Sequence, residues 1–465
     1  MNRTSRTLVL LLLAISPLSA FHAAQSAERP NVIIILADDL GYGDLACYGH
    51  PSFKTPRIDG MAAEGARLTQ FNTPMSFCAP TRASLLTGRY PFRSGMNGNP
   101  APDGRPAADA LALDASEITL ANLFSEAGYA TSMVGKWHLG HQKPEQMPTH
   151  RGFDEYLGIL YSNDMRPVQL MEGTEVSEYP LPQSTLTQRY TDRAEKFIRR
   201  HSERPFFLYL AHAMPHKPLA TTEEYYKQSE AGLYGDVMMD LDASVGRILD
   251  TLRELNLDER TLVIFTSDNG PWFGGSTGGL RGMKGSSWEG GYRVPCIARW
   301  PGRIPAGHEN GSVAVMMDLF TTVLTAAAVE LPQDRLIDGE DIMPLFTSGA
   351  SRRSEFIVGQ QGPRIATIRD ARWKLHVLPA RDHFLSLAER SEPWVDPRGP
   401  DGVTILAPWE QYQPSAYPGA KLGVAPAAMQ LFDLARDPAE QNDVSAAHPD
   451  VVQRLHAEFK ALAAP

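Results

Sequence analysis

The chain has 465 residues and a formal net charge of −10, with 44 Lys and Arg against 54 Asp and Glu. That balance excludes a broad electrostatic footprint for nucleic acid, so an anionic ligand must be met by a local cationic cluster. Three cysteines, Cys47, Cys78 and Cys296, exclude a disulfide framework; Cys47 and Cys296 could pair, which leaves Cys78 as the odd residue.

Residues 1–27 open with Arg3 and Arg6, run through an apolar stretch from Leu8 to about Leu13, and end in small residues. This reads as a secretory signal cut between Ala20 and Ala27. Ser16, Pro17 and Ser19 interrupt the run too early for a membrane anchor, which needs about twenty unbroken apolar residues. No later stretch is long and apolar enough to span a bilayer, so the mature chain is expected to be exported, periplasmic or secreted, with no membrane span.

Four apolar runs then read as buried strands that stop abruptly at polar residues. The first, Val32 to Leu36, ends at Asp38 and Asp39; "YATSMVGKWHLG" ends at Lys136 and His138; "PFFLYLAHAMPHKP" ends at His212 and His216; "TLVIFTSDNG" ends at Asp268 and Asn269. Between them, "ITLANLFSEAGY" and "YGDVMMDLDASVGRILDTLREL" repeat apolar residues at helical spacing. Strands alternating with helices imply an α/β fold with a largely parallel sheet covered on both faces. Ligands of such sheets bind beyond the carboxyl ends of the strands. Any one of these polar residues alone is more often a helix cap or a packed loop histidine; four strand ends together point to one site.

Cys78, in "SFCAPTRASLLTGRYP", falls where a helix begins. A helix N-terminus and Arg82 would lower the pKa of a thiolate there. A cysteine phosphatase loop, however, needs five residues between Cys and Arg, and here there are three. Asp38, Asp39, Asp268 and the amide oxygen of Asn269 offer only oxygen ligands, which suits calcium or magnesium and not zinc. A thiol is a poor ligand for such an ion, whereas an oxygen nucleophile at position 78 would be a good one. The loop "GGSTGGLRGMKGSS" lacks the G-K-[ST] order of a phosphate loop and reads as a flexible loop delivering Lys284.

The pattern changes near Phe346. A large domain is expected over residues 28–349 and a smaller C-terminal α+β domain over 350–465. "FIVGQQGPRIATIRDARWKLHVL" supplies two or three antiparallel strands, "MQLFDLARDPAEQNDV" another, and a helix from about Asp450 to Ala461 closes the chain. Between them, about 381–428, lies an irregular stretch too long for a simple connector. Its Trp394, Trp409, Tyr412 and Tyr417 form either a wall of the ligand pocket or a packing surface.

"CAPTR" followed by "ASLLTGRYP" resembles the signature of the type I, formylglycine-dependent sulfatases, in which the cysteine of C-x-P-x-R becomes formylglycine. "RPNVIIILADDLGYGDLACYGH", "VGKWHLGH", "GFDEYLGILYSNDM" and "LRGMKGSSWEGGYRVP" are similar, in order, to the arylsulfatase A and N-acetylgalactosamine-6-sulfatase branch. The resemblance implies an alkaline-phosphatase-like large domain and hydrolysis of sulfate esters, of aryl compounds or more naturally of saccharides. It implies one Ca2+ held by Asp38, Asp39, Asp268, Asn269 and the modified residue 78, with Arg82 and Lys136 fixing the formylglycine hydrate. Asp268 would take the proton of the attacking hydroxyl and His138 that of the second. His216 and Lys284 would contact sulfate and protonate the leaving oxygen, Ser162 would touch the polar network, and His212 would be structural. A formylglycine-generating or equivalent maturase is the implied partner. Phosphomonoester, phosphodiester and phosphonate hydrolases of the wider superfamily share the carboxylates and the sheet. An exported sulfated-glycan-binding protein without turnover is the alternative of another class, but every catalytic position is filled.

Overall fold

In the computed structural model, residues 29–102, 106–272, 274–349, 354–381 and 423–462 are described. The signal-like segment and most of the aromatic stretch, including Trp394, Trp409, Tyr412 and Tyr417, lie outside them.

Ten strands make the main sheet: β1 (Asn31–Ala37), β2 (Ala66–Leu68), β3 (Ala130–Gly135), β4 (Glu155–Gly158), β5 (Leu170–Glu172), β6 (Glu175–Glu178), β7 (Phe206–Ala211), β8 (Thr261–Ser267), β9 (Cys296–Arg299) and β10 (His308–Asn310). Their order is β10-β2-β9-β8-β1-β7-β3-β4-β5-β6. The inner strands β8, β1, β7, β3 and β4 run parallel. Toward both edges antiparallel pairs appear, β8 with β9 and β9 with β2 on one side, and β4, β5 and β6 on the other. These short edge strands have no long apolar run and escaped the sequence pattern.

β1, β3, β7 and β8 are buried at every position because both faces of the sheet are covered. Alternation along β1 sends Val32, Ile34 and Leu36 into a core shared with Leu85, Leu86, Phe124 and Tyr209. Ile33 and Ile35 enter the opposite core with Tyr190, Phe197, Leu241 and Val245. The first core carries helix α1 (Cys78–Thr87) and α2 (Leu120–Glu126), the second α3 (Leu186–Arg200) and α4 (Gly232–Glu254). All three cysteines are free, so Cys47 and Cys296 do not pair.

Four further strands, β11 (Ile357–Gln361), β12 (Arg364–Arg369), β13 (Trp373–His376) and β14 (Gln430–Asp433), form an antiparallel sheet in chain order. Helix α5 (Pro449–Leu462) packs on it through Leu455, and Val313, Val315 and Met317 of the large body join the same apolar cluster. Among the described residues no helix is long and apolar enough to cross a membrane.

Candidate active site

β8, β1, β7 and β3 are consecutive in the sheet, so their carboxyl ends lie side by side. Asp268 and Asn269, Asp38 and Asp39, His212 and His216, and Lys136 and His138 therefore meet along one rim. Asp39 and His138 take left-handed backbone, at φ +64° and +63°. Such strain in non-glycine residues persists only where the surroundings enforce it.

Cys78 is the first residue of α1, a helix buried along its whole length. Phe77, in extended conformation, precedes it without a side-chain cap, and Asn99 Oδ1 instead accepts the Ala79 amide at 3.0 Å. The Cys78 Sγ–H points at Asp38 Oδ1, 3.4 Å away, with Asp39 Oδ1 at 3.9 Å. Burial pushes this thiol up, and Asp268 and Asp38 add to the effect against Lys136 and Lys284. The thiolate considered from the helix terminus and Arg82 is thus disfavoured, because desolvation and carboxylates outweigh the cations.

One turn along α1, Arg82 sends Nε and Nη2 to Asp268 Oδ2 at 2.9 and 2.8 Å, and Nη1 to the Lys136 carbonyl at 2.7 Å. Lys136 Nζ donates to Asp38 Oδ2 and to Ser162 Oγ, both at 2.6 Å. Lys284 Nζ lies 2.7 and 2.8 Å from the two Asp39 oxygens. Burial opposes its charge, but Asp39, Cys78 and Asp38 raise its pKa and hold it protonated.

His138 Nε2 lies 3.0 Å from the Pro100 carbonyl, while its buried Nδ1 has no partner among the described residues. His216 Nδ1 lies 2.9 Å from Asn163 Oδ1 and 2.5 Å from the Lys217 carbonyl, with Nε2 3.6 Å from Asp39 Oδ2. Burial first, then the nearby lysines, hold both imidazoles well below their ordinary pKa, and hence neutral. With carbonyls accepting from one nitrogen of each ring, His138 Nδ1 and His216 Nε2 keep the lone pairs. His212 stands apart: its Nε2 meets Ser244 Oγ at 3.2 Å, and burial lowers it to about 3.

Three buried carboxylates, Asp38, Asp39 and Asp268, converge here with three cations, Arg82, Lys136 and Lys284. Burial and Asp38 raise the Asp268 carboxyl, a sign of crowded negative charge. Asn269 Nδ2 donates to Asp39 Oδ1 at 2.7 Å, and its buried Oδ1 has no partner among the described residues. Carboxylates plus an orphaned amide oxygen fit a hard cation such as calcium. Asp38, Asp39, Cys78 and His216 also place ligand atoms within 4.8 Å of one another. That grouping adds an imidazole not assigned from the sequence. The oxygen set suits a hard cation, for which carboxylate and amide oxygens are better donors than an imidazole nitrogen.

A cavity of about 270 Å³ opens on this cluster. Asp39, Ser162, His216 and Lys284 form its floor; Phe77, Asn99, Asp164, Met165, Lys217 and Trp272 form its walls. Asn163, Pro100, Asn99, Asp164, Lys217 and Trp272 were missed from the sequence. Asn163 and Asp164 carried a signal there, as neighbours of Ser162 in "YSND", and Lys217 as the neighbour of His216 in "MPHKP"; the others are chosen by loop packing.

The family model described as Sulfatase matches residues 30–329. The chain is 36% identical to N-acetylgalactosamine-6-sulfatase of Canis lupus familiaris, covering 96% of this chain and 88% of that protein. It is also 36% identical to arylsulfatase A of Homo sapiens, covering 92% and 87%. Among solved structures, the sulfatase PsFucS1 from Pseudoalteromonas sp. superposes with a TM-score of 0.75 at 27% identity, covering 95% of this chain and 91% of that one. The large, mostly parallel sheet with its small antiparallel companion is the alkaline-phosphatase-like architecture of these relatives.

Proposed function

The chain belongs to the sulfatase family and hydrolyses sulfate esters; we propose that residue 78 acts as formylglycine beside one calcium ion, on a sulfated saccharide. The observation that carries this reading is the convergence of Asp38, Asp39, Lys136 and Lys284 on a buried Cys78 whose own thiol is held protonated. Such surroundings serve an oxygen nucleophile and an anionic substrate better than sulfur chemistry. When present, formylglycine supplies a geminal diol in place of the thiol, and calcium a fixed double positive charge at the sulfate.

Asp38, Asp39, Asp268 and Asn269 are the residues that would hold the ion, with residue 78. Arg82 and Lys136 brace two of these carboxylates by direct bonds, so the ligand oxygens are set before substrate arrives. Asp268, whose charge reaches residue 78, is placed to take the proton of the attacking hydroxyl. His138, donating through Nε2 to Pro100, keeps Nδ1 as a base for the second hydroxyl proton. Lys284, held protonated by Asp39, supplies positive charge at the leaving oxygen and supports His216 there as proton donor. His216 is neutral without substrate, and the negative charge of a bound sulfate raises its pKa toward a shared role. Ser162 acts through Lys136.

Because Cys78 is fully buried in the folded chain, a maturase must convert it before folding. The leader-like residues 1–27 support export to the periplasm or the medium.

The test is mass spectrometry of the tryptic peptide containing residue 78 from active protein, alongside turnover of an aryl sulfate. Formylglycine is expected, with activity lost in Cys78→Ala and not restored in Cys78→Ser, since serine lacks a second hydroxyl to expel sulfate. Chelation should remove activity, and calcium should return it. Full turnover by protein carrying only the thiol would overturn the mechanism.

A further inference from the structure

The loop that delivers Lys284 is gripped from two sides. On one side the Lys284 amide donates to the Pro271 carbonyl at 3.0 Å, and the Gly285 amide to the Ser76 carbonyl at 2.9 Å, two residues before Cys78. On the other side stands the C-terminal sheet. Lys374, buried on β13, sends Nζ to the Ser287 carbonyl at 2.9 Å and to Glu289 Oε1 and Glu440 Oε1, both at 3.1 Å. Glu440 Oε2 accepts the Glu289 amide at 2.6 Å. Upstream of Lys284, Arg281 donates through Nη1 and Nη2 to the carbonyls of Glu440 and Val424, each at 3.0 Å, and stacks 3.6 Å from the centre of the Trp288 ring. The Gly290 amide closes the loop on the Arg281 carbonyl at 2.7 Å. Three residues before Lys284 and three after it are therefore tied to one buried cluster outside the catalytic body.

From this geometry we propose that Lys374, with Glu440, is a positioning residue for Lys284: the C-terminal sheet sets the lysine that faces Asp39 and the cavity floor. The inference rests on the reading of Lys284 as part of the sulfatase site. Arg293 and Arg369 also pair with Glu289, and His376 meets Glu440, but the buried Lys374 ammonium is the group that joins both carboxylates to the Ser287 carbonyl and so ties the loop to the C-terminal sheet. Losing it removes the bond to Ser287 and the bridge between Glu289 and Glu440, which frees the loop to shift, and a displacement of about 1 Å at a catalytic group can cost on the order of a hundredfold in rate.

The test is a double-mutant cycle on the full, matured protein with an aryl sulfate as substrate. Lys374→Met keeps the aliphatic stem and removes Nζ, and kcat/KM is expected to fall about tenfold to a hundredfold. In a Lys284→Ala background, the same substitution is expected to cost less than about twofold, because the group it positions is gone. An equal fall in both backgrounds, or no fall in the parent, overturns the proposal and leaves the catalytic reading intact. No loss from Lys284→Ala itself removes that lysine from the mechanism, and this inference with it. Where Lys374→Met does not accumulate as folded protein, Arg281→Met is carried through the same cycle with the same expected non-additivity.

Discussion

At the scale of residues, the site is set by which groups can remain charged without water. Taking a carboxylate out of water costs several kcal/mol even after relaxation, so Asp38, Asp39 and Asp268 are each answered by Lys136, Lys284 and Arg82 within 2.9 Å. A bound dication therefore leaves the cluster with surplus positive charge, which is what a sulfate ester needs inside a chain of net charge −10. Trp272 lines the cavity next to Lys217, whose Nζ lies 5.7 Å from the indole centre. An aromatic wall gives a sugar ring a surface to pack on and gives a small aryl sulfate less, because remote binding energy is spent only by the larger substrate. Trp272→Ala should then lower kcat/KM about tenfold for a sulfated saccharide and less than about twofold for a small aryl sulfate. An equal fall on both substrates would assign the tryptophan to loop packing instead.

At the scale of elements, close approach of strands is what brings the catalytic ends together. Gly135, the last residue of β3 and the neighbour of Lys136, has φ +114°, and an added Cβ would lie 1.8 Å from the Ala211 carbonyl of β7. That carbonyl also accepts the Lys136 amide at 2.8 Å. Gly135→Ala must either part the two strands or twist β3 out of register, moving Lys136 and His138 together. A loss of about 3 kcal/mol or more is expected, read as a fall in the thermal midpoint. Turnover of the protein that still folds should be lowered as well. An unchanged midpoint would mean that the strand ends tolerate separation.

At the scale of the whole molecule, buried titratable groups outside the catalytic contacts couple stability to pH in opposite directions. Burial raises the Asp240 carboxyl on α4 to about 7, against the bond it accepts from Thr221 Oγ1 at 3.0 Å. Its folded value exceeds the unfolded one, so its contribution is full below about pH 4 and is lost as pH rises through about 7. Burial lowers His212 to about 3, so its contribution is present above the ordinary imidazole range and is lost as pH falls below it. Asp240→Asn should therefore gain roughly 2 kcal/mol relative to the parent between about pH 5 and pH 8. His212→Gln should gain about 2 kcal/mol relative to the parent between about pH 7 and pH 5. Thermal midpoints measured across that range check both signs, and parallel profiles for parent and variant would show that the group is not the source of the slope.

The sequence by itself determined four of the five inner strands, β1, β3, β7 and β8, their polar ends and the cysteine at a helix start, because each rests on local patterning: apolar runs for strands covered on both faces, helical spacing between them, and a C-x-P-x-R signature in one stretch. It also exposed the all-oxygen donor set, which needs only the identity of Asp38, Asp39, Asp268 and Asn269. Tertiary structure alone decided that β8, β1, β7 and β3 are neighbours, so that four distant segments meet in one site. It likewise decided that antiparallel pairs appear on both flanks of the sheet, that Pro100 and Asn163 orient the two histidines, and that Lys374 reaches the loop of Lys284. Those contacts join residues 38 to 230 positions apart. They form because folding must pair every buried carbonyl, amide and charge with whatever partner packing brings near, and no local spacing encodes that choice.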